Sequence, residues 1–346
     1  MRIGMQLAYS GGFKETAGLV VELEKVGLDL AVVPEAYSFD AISQLGYLAA
    51  RTSTIQLATG VVPIYTRTPA LLAMTAAGLD YVSDGRFTLG LGTSGPQVVE
   101  GFHGVPFDAP LGRTREVVEI CRKVWRRERL QYNGRHYHLP LPPDRGTGLG
   151  KPLKLINHPV REHIPIFIAA LGPKNVQLTA EIADGWQPVF VDPERIDSVW
   201  GDALRAGRAK RDPTLGPLDV MGTPPLAIGD DVEDRIAWVK PMLALYLGGM
   251  GARDKNFYHN LATRYGFGAE ADRIQELYLV GRKEEAAAAV PDDLVRSVSL
   301  IGPAGLVAER VAMFAEAGVT TLLVTPLATD TAEAVRFIEQ LRTMVA

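Results

Sequence analysis

Residues 55–104 read IQLATGVVPIYTRTPALLAMTAAGLDYVSDGRFTLGLGTSGPQVVEGFHG. The first eight of them, residues 55–62, are β-rich and mostly apolar, which is typical of a parallel strand buried on both faces. A Thr-Pro pair at residues 68–69 then places proline in the first helical turn, and helical apolar spacing continues until Gly85. Residues 86–91 form the next apolar run. The pattern predicts a strand, a helix and a second strand of an α/β fold.

Glycines mark two places in this segment where a ligand can approach the backbone. Gly60 interrupts the first strand, and a glycine inside a strand usually indicates a bulge or the close approach of another group. The second strand ends in the loop Gly92-Thr93-Ser94-Gly95, and the Pro96 that follows cannot continue a ladder. This loop offers free backbone amides and two hydroxyls, so we expect it to contact a ligand.

Residues 90–95 also match the dinucleotide-binding pattern G-x-G-x-x-G. In that fold, the third glycine lies in the first turn of the helix that follows. Here Pro96 and a second break at residues 101–106 delay the next helix to about Thr114. The spacing therefore favours a loop at the end of a strand in another α/β fold.

Strand-like and helix-like runs alternate along the rest of the chain, which indicates a parallel sheet with helical crossovers. Eight strands, each followed by a helix, are predicted at residues 2–7, 28–34, 55–62, 86–91, 164–170, 185–191, 219–227 and 320–325. This count predicts a (β/α)8 TIM barrel that spans residues 1–346 as one α/β domain.

Two stretches do not follow the alternation. Residues 128–163 come after the helix that follows strand four and are rich in proline and glycine, and residues 253–298 precede strand eight. Neither stretch shows enough apolar periodicity for a core of its own. We expect both to be irregular insertions that act as lids or substrate walls.

The composition excludes several kinds of partner. The 346 residues carry a formal net charge of -4, which provides no attraction for nucleic acid. No apolar run approaches the length of a membrane span, and the chain starts directly with a strand pattern instead of a signal peptide. The single cysteine, Cys121, can form no internal disulfide. We expect a cytoplasmic protein that binds neither nucleic acid nor a membrane.

Ligands of a TIM barrel bind at the carboxyl ends of its strands. The residues predicted there are mostly apolar, glycine-rich or hydroxyl-bearing, and they include the exit of strand six at residues 186–188. They show no nucleophile elbow, no obvious acid/base pair and no metal-ligand spacing, and we expect His136 and His138 to be structural. Such residues suit a flat cofactor that supplies its own chemistry. The Gly-Pro-Lys-Asn helix start at residues 172–175 suits a phosphate group.

Two long segments resemble one known family. They are residues 58–107 and residues 166–186, the second of which reads IFIAALGPKNVQLTAEIADGW. Together they are similar to the bacterial luciferase-like superfamily, and within it to the oxidoreductases that use the deazaflavin coenzyme F420. The resemblance extends over essentially the whole chain. It implies a TIM barrel, bound F420, a small-molecule substrate and a homodimer.

The resemblance also implies where F420 would bind. Relatives carry a non-prolyl cis peptide in a bulge of strand three, against which the deazaflavin ring leans, and the matching residues here are Gly60 and Val61. Glu35 would lie near the ring edge, residues 92–95 near the ribityl chain and residues 172–175 near the phosphate. The implied cofactor contacts are Glu35, Thr59, Gly60, Val61, Gly92, Thr93, Ser94, Gly95, Val98, Ala170, Leu171, Gly172, Pro173, Lys174 and Asn175.

The chain departs from the glucose-6-phosphate dehydrogenases of this superfamily. Those enzymes place an Asp-His pair after strand two and a catalytic glutamate after strand four, where this chain has Glu35-Ala36 and Gly95. That activity is therefore not expected, and the candidates for the catalytic proton-transferring group are Glu35, Tyr65 and His103. Three functions stay open: an F420-dependent oxidoreductase, an FMN-dependent monooxygenase of the same superfamily, and a non-catalytic F420-binding protein.

Overall fold

The computed structural model describes residues 1–251, 253 and 255–345. Its strands are β1 (Arg2–Gln6), β2 (Leu30–Val33), β3 (Gln56–Thr59), β4 (Val62–Pro63), β5 (Phe87–Gly92), β6 (Tyr132–Asn133), β7 (His138–Leu139), β8 (Ile166–Ala169), β9 (Gly185–Gln187), β10 (Asp219–Gly222), β11 (Pro225–Ile228), β12 (Leu300–Gly302) and β13 (Thr321–Pro326). Its helices are α1 (Phe13–Lys25), α2 (Ala41–Arg51), α3 (Pro69–Val82), α4 (Pro96–Val99), α5 (Pro110–Trp125), α6 (Pro173–Ile182), α7 (Ile196–Arg208), α8 (Arg235–Gly249), α9 (Phe257–Arg264), α10 (Gly268–Leu279), α11 (Lys283–Ala288), α12 (Asp292–Ser297), α13 (Ala304–Glu316) and α14 (Thr331–Val345).

Eight parallel strands form a closed barrel in the order β1, β2, β3, β5, β8, β9, β10 and β13. The barrel closes where β13 pairs with β1, with Leu322 opposite Ile3. A separate cluster of buried apolar side chains from five barrel strands consists of Leu30, Val32, Ala58, Phe167, Met221 and Leu323. Helices follow the barrel strands and cover the outside, so the predicted TIM barrel is confirmed.

The third barrel strand is shorter than predicted because it breaks at Gly60. The Gly60–Val61 peptide is cis, as the resemblance implied, and the chain resumes pairing as β4 against β5. The buried Thr59 hydroxyl donates a hydrogen bond to the Gly90 carbonyl (2.8 Å) and accepts one from the Gly90 amide (2.7 Å). These bonds satisfy the Gly90 backbone just beyond the regular pairing of β3 with β5.

The strand predicted at residues 219–227 is in fact two strands. β10 belongs to the barrel, whereas β11 pairs with β13 and with β12. Thr223 and Pro224 separate β10 from β11, which begins at Pro225. The two prolines lack backbone amides, so the first ladder cannot continue through them. The sequence pattern did not indicate β12. The sixth barrel strand also ends early, at Gln187 instead of residue 191.

The first insertion follows α5 as predicted, but it lies along that helix. The carboxylate of Glu116 accepts hydrogen bonds from the backbone amides of Arg135, His136 and Tyr137, which fixes the β6–β7 hairpin. Further along, Arg161 pairs with the fully buried carboxylate of Asp80. These contacts hold the insertion against the outer helices, so they do not support its expected role as a wall of the barrel mouth.

The second insertion is helical, so the expectation of an irregular loop is wrong. It contains α9 to α12, and α8 precedes them in the same inserted unit between β11 and β12. Its helices bury apolar side chains such as Leu261, Ile274 and Leu294. α8 is apolar around most of its circumference and contains Pro241, and α9, α11 and α12 are short. None of these four helices therefore gives a clear amphipathic period.

Among the described residues, no helix is long and apolar enough to span a membrane. The same part of the chain contains no group of three or more His, Cys, Asp or Glu side chains that could hold a metal ion. Cys121 is buried on α5, and burial raises the pKa of its thiol to about 12. The thiol therefore packs as a small apolar group.

Asp184, just before β9, connects three parts of the amino-terminal end of the barrel. Its carboxylate accepts a hydrogen bond from the Ile166 amide (2.9 Å) and pairs with His163 (2.6 Å) and Arg122 (3.4 Å). Burial acts to raise the pKa of Asp184, but these partners hold it below its usual value. A carboxyl with a lowered pKa stabilises the fold above its unfolded pKa, and this contribution is lost as the pH falls through the folded pKa.

We expect Asp184→Asn to lower the free energy of unfolding by about 2 kcal/mol at neutral pH, because three partners lose a buried anion. The difference from the unchanged protein should shrink below about pH 4, where the unfolded carboxyl takes up its proton. Urea unfolding followed by circular dichroism at several pH values measures both effects. Asp202→Asn, which alters an exposed carboxyl on α7, is the control and should leave the midpoint unchanged. An equal loss in both variants would contradict the anchoring role of Asp184.

Candidate cofactor-binding site

Three strand ends meet beside the Gly60–Val61 peptide. A Cβ atom at Gly92 would lie 2.5 Å from Cγ2 of Val61, so the two residues pack closely only because position 92 is glycine. A Cβ atom at Gly60 would collide with Cγ1 of Val32 and would lie 3.7 Å from Nε2 of Gln187. The bulge of strand three and the ends of β5 and β9 therefore form one surface. A side chain at Gly60 would disturb the barrel interior as well as this surface.

The loop after β5 carries polar groups to the same surface. Ser94 is exposed and adopts the left-handed conformation with φ +57°, and the half-buried Thr93 donates a hydrogen bond to the Ser94 carbonyl. Gly95 then precedes the four-residue helix α4, which carries the half-buried Val98. The predicted loop residues 92–95 thus lie together at the carboxyl end of the barrel, next to Val61.

Two indole groups fix the loop between β8 and α6. The N–H of Trp186 donates to the Ala170 carbonyl (2.9 Å), and the N–H of Trp200 donates to the Leu171 carbonyl (2.8 Å). Both indoles are fully buried and contact each other edge to face, with their centroids 5.2 Å apart. The loop therefore enters α6 in a defined conformation.

The amino terminus of α6 has the properties of an anion site. Gly172 occupies the N-cap position without a capping side chain, and Pro173 begins the helix. The ammonium group of Lys174 is exposed, and it adds positive charge to that of the helix dipole. Oδ1 of Asn175 is buried and has no hydrogen-bond partner among the described residues. Such an atom is expected to be satisfied by a ligand or by water.

Gln187 has a second buried oxygen of this kind. Its side chain lies at the end of β9 and is only 4% exposed, and its Oε1 has no hydrogen-bond partner in the described chain. The same amide group faces the Gly60–Val61 bulge. Residues 186–188 were predicted to lie at the exit of strand six, but no role was predicted for Gln187. The only signal in the sequence was a polar residue in an otherwise apolar strand.

Glu35 lies at the exit of β2 and is tied to neighbouring elements. Its two carboxylate oxygens accept hydrogen bonds from Arg67 (2.6 and 2.9 Å), and one also accepts from the Ala41 amide (3.0 Å) at the start of α2. Arg67 pairs in addition with Asp40 (2.7 Å). The hydrogen bonds with Glu35 raise the pKa of Arg67, so the guanidinium stays charged. Through these contacts, Glu35 holds the strand-three loop against α2.

Tyr65 and His103, the other two candidates for proton transfer, differ in whether their polar atoms have hydrogen-bond partners. The Tyr65 hydroxyl donates to the Asp108 carbonyl (2.7 Å), and burial raises the pKa of Tyr65 to about 12. His103 lies in the loop after α4, and its Nε2 is buried without a hydrogen-bond partner in the described residues. The His103 ring contacts Phe102 edge to face at 5.1 Å between centroids, and Phe102 contacts Tyr37 at 6.2 Å.

Comparison with known families supports the resemblance. The family model described as luciferase-like monooxygenase matches residues 1–321. A Mycobacterium tuberculosis protein, whose name assigns it provisionally to the coenzyme F420-dependent oxidoreductases, is 42% identical over 330 residues, covering 94% of this chain and 95% of that protein. The 5,10-methylenetetrahydromethanopterin reductase of Archaeoglobus fulgidus is 26% identical, covering 98% of this chain and 97% of its own length.

A solved structure shows the same fold. It is the coenzyme F420-dependent tetrahydromethanopterin reductase from Methanopyrus kandleri, which superposes with a TM-score of 0.82 at 23% sequence identity. The match covers 98% of this chain and 97% of the reductase. The TIM barrel and its inserted segments therefore have a counterpart of nearly equal length.

Gln187 and Thr59 give a matched test of which polar groups serve the fold. Gln187→Leu should leave the stability of the ligand-free protein unchanged or raise it by about 1 kcal/mol, because it removes a buried oxygen without a partner. Thr59→Val should lower the stability by about 2 kcal/mol, because it removes both hydrogen bonds to Gly90. Urea unfolding measures the two changes. A loss in Gln187→Leu as large as that in Thr59→Val would give Gln187 a structural role.

Proposed function

The chain belongs to the luciferase-like monooxygenase family, and we propose that it is a coenzyme F420-dependent oxidoreductase that acts on a small organic substrate. The observation that carries this proposal is the 42% identity, over nearly the full length of both chains, to a relative whose name places it with the F420-dependent oxidoreductases. When bound, the deazaflavin supplies hydride transfer at its C5 atom. The protein supplies binding, orientation and a proton.

The residues at the carboxyl end of the barrel fit such a cofactor. The surface around Gly60, Val61 and Gly92 would receive the flat ring, and the two glycines let Val32 and Val61 pack closely beneath it. Two buried oxygens without partners, on Gln187 and Asn175, would accept hydrogen bonds from the bound molecule. Among the predicted contacts, Thr59 uses its hydroxyl within the sheet, so its part would be to support the bulge.

The amino terminus of α6 would hold the phosphate. Gly172 and Pro173 leave the end of the helix uncapped, and Lys174 extends an exposed ammonium group beside it. The loop at residues 92–95 would contact the ribityl chain through its backbone and the Thr93 and Ser94 side chains. The predicted cofactor residues other than Thr59 and Glu35 thus stay proposed contacts, and Gln187 is added to them.

We assign the proton-transfer role to His103. Its buried Nε2 has no partner in the described residues, whereas Glu35 is paired with Arg67 and the Tyr65 hydroxyl donates to Asp108. An imidazole with a free ring nitrogen is a common proton-transfer group in enzymes. Glu35 and Tyr65 then act by holding the loops that form the site.

The FMN-dependent monooxygenase is the second candidate function. The matching family model carries the description of a monooxygenase, so the family includes enzymes that react with oxygen. A flavin phosphate would use the same end of α6. A non-catalytic F420-binding protein would use the same site without turnover. The preference for FMN or F420 therefore distinguishes the monooxygenase, and turnover distinguishes the non-catalytic protein.

We also propose that the chain is a cytoplasmic homodimer. α3 exposes Leu71, Met74, Tyr81 and Val82 along one face, and Val160 of the first insertion lies within contact of Gly85 at the end of this helix. A contiguous exposed apolar face of this kind is typical of a protein interface. A second copy of the chain is the proposed partner.

Parallel titrations of the purified protein with F420 and FMN, followed by fluorescence quenching, test the proposed cofactor. F420 should bind with a Kd at about the micromolar level or below, and FMN at least about tenfold more weakly. Lys174→Gln should weaken F420 binding about fivefold, with a smaller salt dependence, because it removes a charge beside the phosphate. Lys154→Gln, which alters an exposed lysine of the first insertion, should bind F420 like the unchanged protein.

Each other outcome has a defined meaning. Tighter binding of FMN would favour the monooxygenase, and weak binding of both would contradict the proposed site. Tight F420 binding without turnover on a broad panel of carbonyl and alkene substrates would favour the non-catalytic binding protein. Unchanged F420 affinity in Lys174→Gln would contradict the proposal that the phosphate binds at the end of α6.

The dimer proposal predicts that Met74→Glu makes the protein monomeric, because it buries a charge in the proposed interface. Size-exclusion chromatography with light scattering measures the mass. Leu279→Glu, on α10, places the same charge on another exposed apolar residue and should stay dimeric. A monomeric unchanged protein, or a dimeric Met74→Glu variant, would contradict this interface.

A further inference from the structure

Four aromatic residues gather beside the candidate site. The ring of Phe190, in the loop after β9, lies 5.1 Å from that of Tyr246 on α8 and 6.1 Å from that of Tyr258 on α9. The Tyr246 and Tyr258 rings are 4.8 Å apart and nearly perpendicular. Tyr9, in the loop after β1, lies near Tyr246, and each of the two phenols influences the pKa of the other. We call these four residues the aromatic wall.

A buried amide holds the two tyrosines of the inserted unit in place. Nδ2 of Asn256 donates to the carbonyls of Tyr246 (2.9 Å) and Leu247 (2.8 Å) at the end of α8. Its Oδ1 accepts from the amides of Tyr258 (2.9 Å) and His259 (3.1 Å) at the start of α9. Asn256 therefore joins the two helices and sets the relative position of Tyr246 and Tyr258.

Phe190 is held in a backbone conformation that bulky residues avoid. Its φ of +52° lies in the left-handed region. The buried hydroxyl of Tyr265 donates to the Phe190 carbonyl (2.9 Å) and accepts from the Asp192 amide (3.3 Å), which fixes this turn. An aromatic residue kept in such a conformation by its surroundings indicates a functional constraint on where the ring lies.

The aromatic wall adjoins the proposed cofactor surface at two points. Phe190 follows Gln187, whose amide faces Gly60, by three residues. Phe257, the neighbour of Tyr258, is 63% exposed, and its Cε1 lies 3.6 Å from a Cβ atom built at Gly172. The wall therefore extends from the bulge of strand three toward the start of α6.

The chemistry of the wall is neutral. Burial raises the pKa of the Tyr246 and Tyr258 phenols, so both stay protonated and can donate hydrogen bonds at neutral pH. The contacts that hold the wall together are between aromatic rings and with the neutral amide of Asn256. An anion would lose its solvation against these ring faces, whereas a flat apolar ring with one oxygen acceptor would be satisfied.

We propose that the aromatic wall is the substrate pocket and that it selects uncharged, ring-bearing carbonyl compounds, with the Tyr246 hydroxyl donating to the substrate oxygen. The rings of Phe190 and Tyr258 would pack against the ring of the substrate. The inference rests on the proposed function, because it assigns a substrate class to an oxidoreductase site. It concerns binding alone and can be tested without turnover.

The test compares two probes of the same ring and chain length. Benzylideneacetone is a neutral aryl enone, and trans-cinnamate is its anionic counterpart. Ligand-observed NMR titration should show at least about tenfold tighter binding of benzylideneacetone. Tyr246→Phe keeps the ring and removes the hydroxyl, and it should weaken benzylideneacetone binding about fivefold. Tyr278→Phe, on α10 of the same inserted unit, is the control and should not change the affinity.

The outcomes separate this inference from the proposed function. Equal binding of the two probes, no binding of either, or an unchanged affinity in Tyr246→Phe would overturn the pocket. F420 binding by Tyr246→Phe should equal that of the unchanged protein, because the tyrosine belongs to the substrate side. If benzylideneacetone binds through Tyr246 but F420 does not bind, the result supports the substrate pocket and contradicts the proposed cofactor.

Discussion

The structure of the site depends on the side chain of Thr59, which makes the hydrogen bonds that a neighbouring strand would otherwise make. Where β3 stops pairing with β5, the hydroxyl of Thr59 both donates to and accepts from the backbone of Gly90. Without it, the break in strand three would leave a buried amide and a buried carbonyl unpaired. Because those groups are satisfied, the chain can leave the barrel at Gly60, form the bulge and return as β4. The surface between the bulge and Gln187 exists because the Thr59 hydroxyl takes the place of the missing strand pairing.

Two buried carboxylates at one end of the barrel and two buried amide oxygens at the other differ in their partners. At the amino-terminal end, the carboxylates of Asp80 and Asp184 are paired with arginine or histidine and with backbone amides. At the carboxyl end, oxygens of Asn175 and Gln187 are buried without partners in the described chain. The first arrangement adds stability, whereas the second sacrifices some of it. A difference of this kind between the ends is expected when stability and binding are assigned to opposite faces of one barrel.

The sequence predicted the features that depend on local patterns. Short apolar runs and their spacing identified the eight strands, and glycines inside or just after strands located the bulge and the loop after β5. The helix α8 and its shorter neighbours were missed, since a helix that is apolar on most sides, or is only two turns long, has no period to detect. The contact between the first insertion and α5 was not predicted, because Glu116 reads in sequence as an ordinary helix carboxylate. Only the fold shows it bound to three amides of the hairpin. The aromatic wall combines residues 9, 190, 246 and 258, and no local pattern connects positions so far apart in the chain.

The way the inserted unit is attached has a consequence for how this family diversifies. Its first and last strands, β11 and β12, run side by side, with Ile228 opposite Gly302. Because the two strands are parallel, the unit leaves at the carboxyl end of β11 and rejoins at the amino end of β12, one short strand away. The barrel closes through β13 and β1 independently of this connection. Such a segment can be lengthened, shortened or exchanged for another with little change in the barrel. Genetic exchange at this one junction would replace the inserted helices while the strands that carry the proposed cofactor contacts stay the same.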